Sequence, residues 1–150
     1  YGQSYVVLSY GISNTIDFHS YLSHEPNGTN QYYYGIMKQF IKTPIIDLST
    51  AIGLRHRLKR IDIFSPQLLY TIKLHQFNLG GSIVSITDIT NNKYVGLTFD
   101  IAFFIPLKKL QNHIKLIEKM ELGIGLFKNL NDSVYPTYSI DMKFKKKRNY

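Results

Sequence analysis

The residues with the greatest catalytic potential lie close together near the start of the chain. They are Asp17, His19, Tyr21, Ser23, His24 and Glu25. These side chains could supply a hydroxyl nucleophile, a histidine that activates it and a carboxylate that orients the histidine. In an extended strand, however, neighbours on the same face lie roughly 7 Å apart, too far for a direct hydrogen bond. A catalytic site would need a partner from another strand, so we predict that the histidines line an interior or a loop and that no residue is catalytic.

Several other reactive centres are missing from the sequence. The chain has no cysteine, which excludes disulfides, thiol nucleophiles and thiolate metal ligands. The five histidines lack metal-ligand spacing, and His19 and His24 cannot share one face of a strand. The Gly80-Gly81 pair predicts a bend or bulge rather than a phosphate-binding loop. We predict no metal and no cofactor.

Charged residues recur at the strand positions that alternate with the large apolar residues, which is the polar side of the pattern. They are Asp17, Asp47, Arg55, Arg57, Lys73, Asp100, Lys115, Lys119, Glu121, Asp141 and Lys143. If they face a narrow interior they must pair, because an isolated buried charge is very costly. The set then forms either a salt-bridged plug or a pore that slightly favours anions. We favour the plug, because barrels of about eight strands are filled by side chains.

The element that would position these side chains is the β-strand, because large apolar residues alternate with small or polar ones along most of the chain. The strand-like segments are 3–12, 16–24, 32–41, 45–57, 62–74, 77–89, 94–105, 114–127 and 134–144. Turn residues separate them at nearly regular spacing, which is typical of an all-β, antiparallel up-and-down protein. The most helix-like segment is 114–127, but Gly123 and Gly125 would each cost a helix interior ~1 kcal/mol.

Size and charge restrict the class of protein further. At 150 residues and 17.4 kDa, residues 1–150 suit a single domain with a basic C-terminal end at 143–150. No stretch approaches the ~18 apolar residues of a membrane helix. The chain starts at Tyr1 without a signal peptide, as expected of a mature or trimmed form. Much of the net charge of +8 lies in 55–60 and 143–148. No stacking-aromatic motif accompanies it, so we predict no nucleic-acid partner.

Two kinds of barrel fit the alternation. A soluble barrel encloses its apolar residues around a lipophilic ligand, whereas a membrane barrel turns them to lipid. The predicted strands exceed the usual five or six residues of globular strands and reach the ~9–11 that span a membrane. Several strands open on tyrosine, as an interfacial girdle would, namely with Tyr32, Tyr33, Tyr34, Tyr94, Tyr135 and Tyr138. We therefore predict a transmembrane barrel of about 8–10 strands. The residues predicted to face lipid include Leu97, Phe99, Ile101, Phe103, Tyr138, Ile140, Met142 and Phe144.

The succession of hairpins, the segment Ser9-Tyr10-Gly11-Ile12-Ser13-Asn14 and the aromatic-ended final strand resemble bacterial outer-membrane β-barrel proteins. The resemblance is to the class and covers most of the chain. It implies a bacterial outer-membrane location, membrane lipid or lipopolysaccharide as a partner, and a structural, anchoring or envelope-assembly role with protein partners. Three alternatives stay open: a small, weakly anion-favouring pore, a soluble lipocalin-like or fatty-acid-binding-like barrel, and a lipid-modifying enzyme acting from the strand that holds His19.

Overall fold

The chain folds as a single antiparallel β-sheet with one short helix. The computed structural model describes residues 4–24, 30–57, 60–114, 116–129 and 133–145. The elements are β1 (Ser4–Gly11), β2 (Ile16–His24), β3 (Asn30–Lys42), β4 (Ile46–Arg57), β5 (Arg60–Phe64), β6 (Gln67–Lys73), β7 (Asn78–Asp88), β8 (Lys93–Pro106), α1 (Lys108–His113), β9 (Ile117–Asn129) and β10 (Val134–Phe144). The ten strands follow one another up and down, which confirms the predicted all-β architecture.

The strands occupy nine positions across the sheet, because β5 and β6 share one. The order is β1-β2-β3-β4-β5-β7-β8-β9-β10, and β6 also lies between β4 and β7. The prediction of one continuous strand over 62–74 is therefore wrong. The break falls at Ser65 and Pro66, where Pro66 has no N–H to donate to a neighbouring strand. The Ser65 N–H still donates to the Gly53 carbonyl over 3.0 Å, and the Pro66 carbonyl accepts from the Ser85 N–H, also over 3.0 Å.

Three predicted turns, at 13–15, 42–44 and 91–93, are present, and side-chain hydrogen bonds hold the first two. Ser13 Oγ accepts a hydrogen bond from the Ile16 N–H at 3.1 Å. Thr43 Oγ1 accepts from the Ile46 N–H at 2.9 Å. Between β7 and β8, Asn92 adopts a φ of 48°, a left-handed conformation that asparagine tolerates. Short polar side chains thus replace the backbone partners that these turns lack.

Glycine-containing segments differ most from the sequence expectations. The segment judged most helix-like forms β9, whereas the helix α1 lies just before it. Gln111 of α1 fastens the helix to β9 by donating from Nε2 to the Glu118 carbonyl at 2.6 Å. The bulge expected at Gly80-Gly81 is wrong, since the register with β6 and β8 runs unbroken through both glycines. No helix in the described ranges is long and apolar enough to cross a membrane.

The two faces of the sheet have opposite chemistry. We define the polar face by His19, Tyr33, Ala51, Ser82 and Thr98, all of which are buried. The apolar face is defined by Tyr34, Ile52, Ile83, Phe99 and Ile124, all of which are exposed. The densest packing therefore lies on the face that carries the polar residues, and most large apolar side chains lie at the surface.

Candidate functional site

An aromatic cluster occupies the polar face of β2, β3 and β4. Tyr21, Tyr33 and Arg55 lie side by side because the strand register pairs Tyr21 with Tyr33 and Tyr33 with Arg55. The rings of Tyr21 and Tyr33 stack with centroids 4.8 Å apart, and the guanidinium carbon of Arg55 lies 5.6 Å from the centre of the Tyr21 ring. His19 extends the stack, with its ring 5.1 Å from that of Tyr33. The prediction that Tyr33 belongs to an interfacial girdle is wrong, because Tyr33 is only 1% exposed on the polar face.

Two glycines make room for Tyr33. A Cβ atom on Gly35 would lie 2.6 Å from the Tyr33 hydroxyl, and one on Gly53 would collide with the Tyr33 ring itself. A second inward aromatic residue repeats the arrangement, because the Phe104 ring lies 3.0 Å from a Cβ built on Gly80 and 3.1 Å from one on Gly123. Glycines on the polar face thus provide the space into which an aromatic ring packs.

Two of the side chains with catalytic potential, His19 and Ser23, are buried on the polar face. His19 Nδ1 and Ser23 Oγ are both buried and have no hydrogen-bond partner among the described residues. Arg55 Nε and Ser65 Oγ, from β4 and the break after β5, are likewise buried without a partner there. Among the described residues, therefore, no histidine is hydrogen-bonded to Ser23 Oγ. The arrangement of His19 and Ser23 is that of packed side chains, and Glu25 lies outside the described residues.

The next polar contact lies across β7 and β8. The Asp100 carboxylate accepts two hydrogen bonds from Ser82, at 2.7 Å from the backbone N–H and 2.6 Å from Oγ. The register places the two residues directly opposite each other. This contact satisfies a carboxylate in the middle of β8. The sequence identified Asp100 but not Ser82, whose only signal is its polar type within an apolar segment.

Two ion pairs lie toward the end of the sheet that carries α1. Lys73 meets Asp47 at 2.7 Å and also donates to the Thr43 carbonyl at 2.8 Å. Lys119 lies 2.8 Å from Glu121, which also accepts a hydrogen bond from Asn78 Nδ2 at 3.1 Å. These contacts join side chains from the same predicted set, in the manner expected of a paired interior.

The remaining charges of the predicted set lie in different surroundings. Lys143 pairs at 2.7 Å with Glu118, which is not one of the predicted interior charges. Asp141 accepts from Ser139 Oγ at 3.0 Å. Asp17 lies near the start of β2, half-buried. Arg57 ends β4 opposite Gln31 and Arg60, and Lys115 lies outside the described residues.

The residues predicted to face lipid lie on the apolar face, where their exposure varies. Phe99, Phe103, Tyr138, Ile140, Met142 and Phe144 are exposed, and Leu97 and Ile101 are half-buried. Of the predicted girdle tyrosines, Tyr32, Tyr34 and Tyr94 are exposed. His56 Nε2 and the Tyr34 hydroxyl lie 3.1 Å apart on this face.

The two ends of the sheet carry different elements. One end, which we call the α1 rim, carries the turns 12–15, 43–45 and 74–77, the helix α1 and Lys145. The opposite rim carries His24, Asn30, the turn 89–92 and Ser133. The described basic residues toward the α1 rim are Lys38, Lys42, Lys73, Lys119, Lys143 and Lys145, together with Lys108 and Lys109 of α1.

Among the described residues the α1 rim thus has eight basic residues against the acidic residues Asp17, Asp47, Glu118, Glu121 and Asp141. The opposite rim has the described basic residues Arg57, Arg60, Lys93 and Lys128 against Asp62 and Asp88. Arg55 and Asp100 lie between the two rims.

The described residues contain no group of three or more His, Cys, Asp or Glu side chains that could hold a metal ion. The chemistry that the polar face offers is stacking, ion pairing and hydrogen bonding within the protein. Comparison of the chain with protein-family models, with curated proteins and with solved structures found no match in any of the three.

Proposed function

We propose that this chain is a transmembrane β-barrel of the bacterial outer membrane, with a structural, anchoring or envelope-assembly role and without catalysis. The observation that carries the proposal is the inverted burial of the two faces. His19, Ser23, Gln31, Ser65 and Thr98 are buried, while many large side chains of the apolar face, among them Ile52, Phe99, Phe103 and Ile124, are exposed.

In water this arrangement would be unfavourable. Each exposed large apolar side chain forgoes roughly 1.5–3 kcal/mol relative to full burial, and a soluble monomer rarely exposes an apolar patch beyond a few hundred Å². Lipid removes this penalty, because hydrocarbon is the natural solvent for such a face. A soluble lipocalin-like barrel requires the reverse burial, with the apolar side chains enclosed.

Strand length supports the same proposal. β3, β8 and β9 contain 13, 14 and 13 residues, and a tilted membrane strand needs about 9–11. Hydrogen bonding between strands satisfies their backbone groups, which is the condition for any segment within hydrocarbon.

A barrel of this sheet would close through β1 and β10. Among the described residues, each of these strands pairs with one neighbour, β2 or β9. With nine alternating positions, the first and the last strand run in the same direction, so direct closure joins them as a parallel pair. Such a seam departs from the even strand numbers of single-chain bacterial barrels.

The packed aromatic cluster favours a filled interior over a pore. Tyr33, Tyr21 and His19 stack across the polar face, and the Arg55 guanidinium lies over the Tyr21 ring. We therefore expect the reconstituted protein to be silent in planar bilayers. Stepwise, weakly anion-selective conductance that shifts when Arg55 is changed to Glu would support the pore instead.

The decisive experiment determines which face meets lipid. The chain has no cysteine, so single cysteines for spin labels at positions 97–102 report each site without background. We expect oxygen accessibility at the odd positions and accessibility to a polar relaxant at the even ones in lipid vesicles. A chain that stays monomeric and soluble without detergent, or the opposite alternation, would overturn the proposal.

A further inference from the structure

The two outermost strands of the sheet each have a free edge. Among the described residues, β1 pairs with β2 alone and β10 with β9 alone. In hydrocarbon an unpaired backbone N–H or carbonyl is costly, so a membrane-spanning sheet cannot leave an edge open. The proposed barrel therefore needs a pairing partner for both edges.

The free edge of β1 carries nothing that would prevent another strand from pairing with it. The Ile12 N–H donates to the Ile16 carbonyl over 2.9 Å. Because opposite residues of an antiparallel pair alternate between bonded and non-bonded, the backbone groups of Val7 and Ser9 point away from β2. The segment Ser4–Gly11 contains neither proline nor a charged residue, two of the devices that commonly block an exposed edge.

The free edge of β10 offers a similar set of backbone groups. The Leu107 N–H donates to the Met120 carbonyl over 2.9 Å, in register with the pairing of β8 and β9. Carried across β9, the same alternation turns the backbone groups of Tyr138 and Ile140 toward the free edge. Pro136 lies on this edge too, where its missing N–H is tolerated.

The packing of the polar face stops one strand short of each edge. His19 of β2 is buried, whereas Ser9, directly opposite on β1, is exposed. Glu121 of β9 is buried, whereas Asp141, directly opposite on β10, is exposed. Val7 is 50% exposed, although it is an apolar residue on the polar face. The inner faces of both edge strands therefore lack a neighbour.

The directions of β1 and β10 determine what can pair with both of them. Both strands run from the opposite rim to the α1 rim, so direct closure makes a parallel pair, which is slightly less stable per residue than an antiparallel one. A second copy inserted in the same orientation has the same limitation, because its edge strands run in that direction too. A single strand that runs from the α1 rim to the opposite rim is antiparallel to both.

We propose that the gap between β1 and β10 is a docking site for one extended segment of a partner protein, inserted antiparallel to both strands. Main-chain hydrogen bonds would provide the affinity, and alternating side chains the specificity. The segment carries large apolar residues beside Val6 and Tyr138, and small or polar residues beside Ser9 and Ser139. It adds a tenth position to the sheet, an even number as in single-chain bacterial barrels. The inference rests on the proposed membrane barrel and adds to it the partner and its binding site.

The test traps a strand of known sequence in the gap. The probe is a synthetic peptide with the alternating sequence of residues 119–128, in which cysteine replaces one glycine (Gly125→Cys). The chain has no cysteine, so Ser9→Cys and Ser139→Cys each place a single thiol beside the gap. Under mild oxidation in detergent, the mixed disulfide should form about tenfold faster with these variants than with Ser49→Cys, because pairing raises the effective concentration of the thiols.

The controls separate strand pairing from apolar adhesion. Ser49 lies on β4, which is paired on both sides, by β3 and β6. A peptide with the same residues in scrambled order lacks the alternation, and one with N-methylated backbone amides lacks the donors, so both should lose the advantage in rate. Equal trapping of the probe at Ser49→Cys, or equal trapping of either altered peptide, would overturn the inference.

Other occupants of the gap would give different disulfides. With a strand between them, β1 and β10 lie about 10 Å apart, beyond the roughly 7 Å that a disulfide spans between Cα atoms. A cysteine-free form of the peptide should therefore slow the internal disulfide of Ser9→Cys combined with Thr137→Cys or Ser139→Cys. An internal disulfide that the peptide does not slow would indicate direct closure. Dimers of Ser9→Cys that form as fast as the peptide disulfide would indicate a second copy, and either result would overturn the inference.

The outcome also separates this inference from the proposed function. A protein that inserts into bilayers and closes directly would refute the docking site and leave the barrel intact. A protein that is soluble without detergent, yet captures the peptide at both edges, would refute the membrane barrel and retain the docking site.

Discussion

Replacing Phe99 by arginine tests the orientation of the sheet quantitatively. Phe99 lies in the middle of β8, the strand spanning Lys93–Pro106, and is 41% exposed on the apolar face. At the midplane of a bilayer, a lipid-facing arginine costs about 2–4 kcal/mol. The equilibrium for folding into vesicles should therefore fall roughly 30- to 700-fold. On the surface of a protein in water, the same substitution should change stability by no more than about 0.5 kcal/mol.

A depth control on the same strand sharpens the test. Tyr94, near the start of β8, is also exposed, and Tyr94→Arg should cost only about 0–1 kcal/mol because arginine near an interface reaches headgroups and water. Phe99→Leu keeps an apolar side chain and should cost far less than Phe99→Arg. The assay is a urea titration of folding in short-chain lipid vesicles, followed by circular dichroism and by gel mobility because the chain has no tryptophan.

The reasoning would be refuted by either of two results. Phe99→Arg could fold as well as Phe99→Leu in vesicles, which would mean that position 99 does not contact hydrocarbon. Alternatively, Tyr94→Arg could cost as much as Phe99→Arg, which would mean that the cost reflects local packing and not depth in a bilayer.

Two further predictions concern the polar face. Gly53→Ala should destabilise the fold by about 1–3 kcal/mol in urea unfolding, since the new methyl group collides with the Tyr33 ring. A Tyr33→Leu change in the same chain should recover part of that loss. If the free-energy losses of the two single variants simply added in the double variant, the packing argument would be contradicted. Asp100→Ala should cost about 1–3 kcal/mol by leaving the Ser82 N–H and hydroxyl without their acceptor. Asp100→Asn should cost less, and an equal loss in both variants would show that the carboxylate oxygens are not what matters.

Alternation in the sequence was sufficient to predict the strands and their order, because a period of two is a local property. It could not predict the break at Ser65 and Pro66, which depends on where the flanking strands β4 and β7 place their carbonyl and N–H groups. Nor could it predict α1, since Leu107 provides no side-chain cap and the helix is held by contacts to β9.

The sequence pattern predicted which residues lie on the polar face, but it did not predict how their side chains pack. His19 and Arg55 were identified from their residue types, yet their contacts with Tyr33 depend on space above Gly35 and Gly53 in the neighbouring strands. The glycine pair at 80 and 81 likewise signalled a bulge, whereas Gly80 makes room for Phe104 and a Cβ on Gly81 would meet the Asp100 carbonyl. Close approach between strands leaves no local trace in the sequence.

The odd number of sheet positions has a consequence for the two sides of a membrane. Ser4 opens β1 at the opposite rim, and Phe144 ends β10 at the α1 rim. In a bilayer, an epitope attached before Ser4 and one attached after Phe144 would therefore be accessible from different compartments. A barrel with an even number of positions would present both epitopes to the same compartment. Protease protection of two such tags in intact and permeabilised cells would distinguish the two topologies directly.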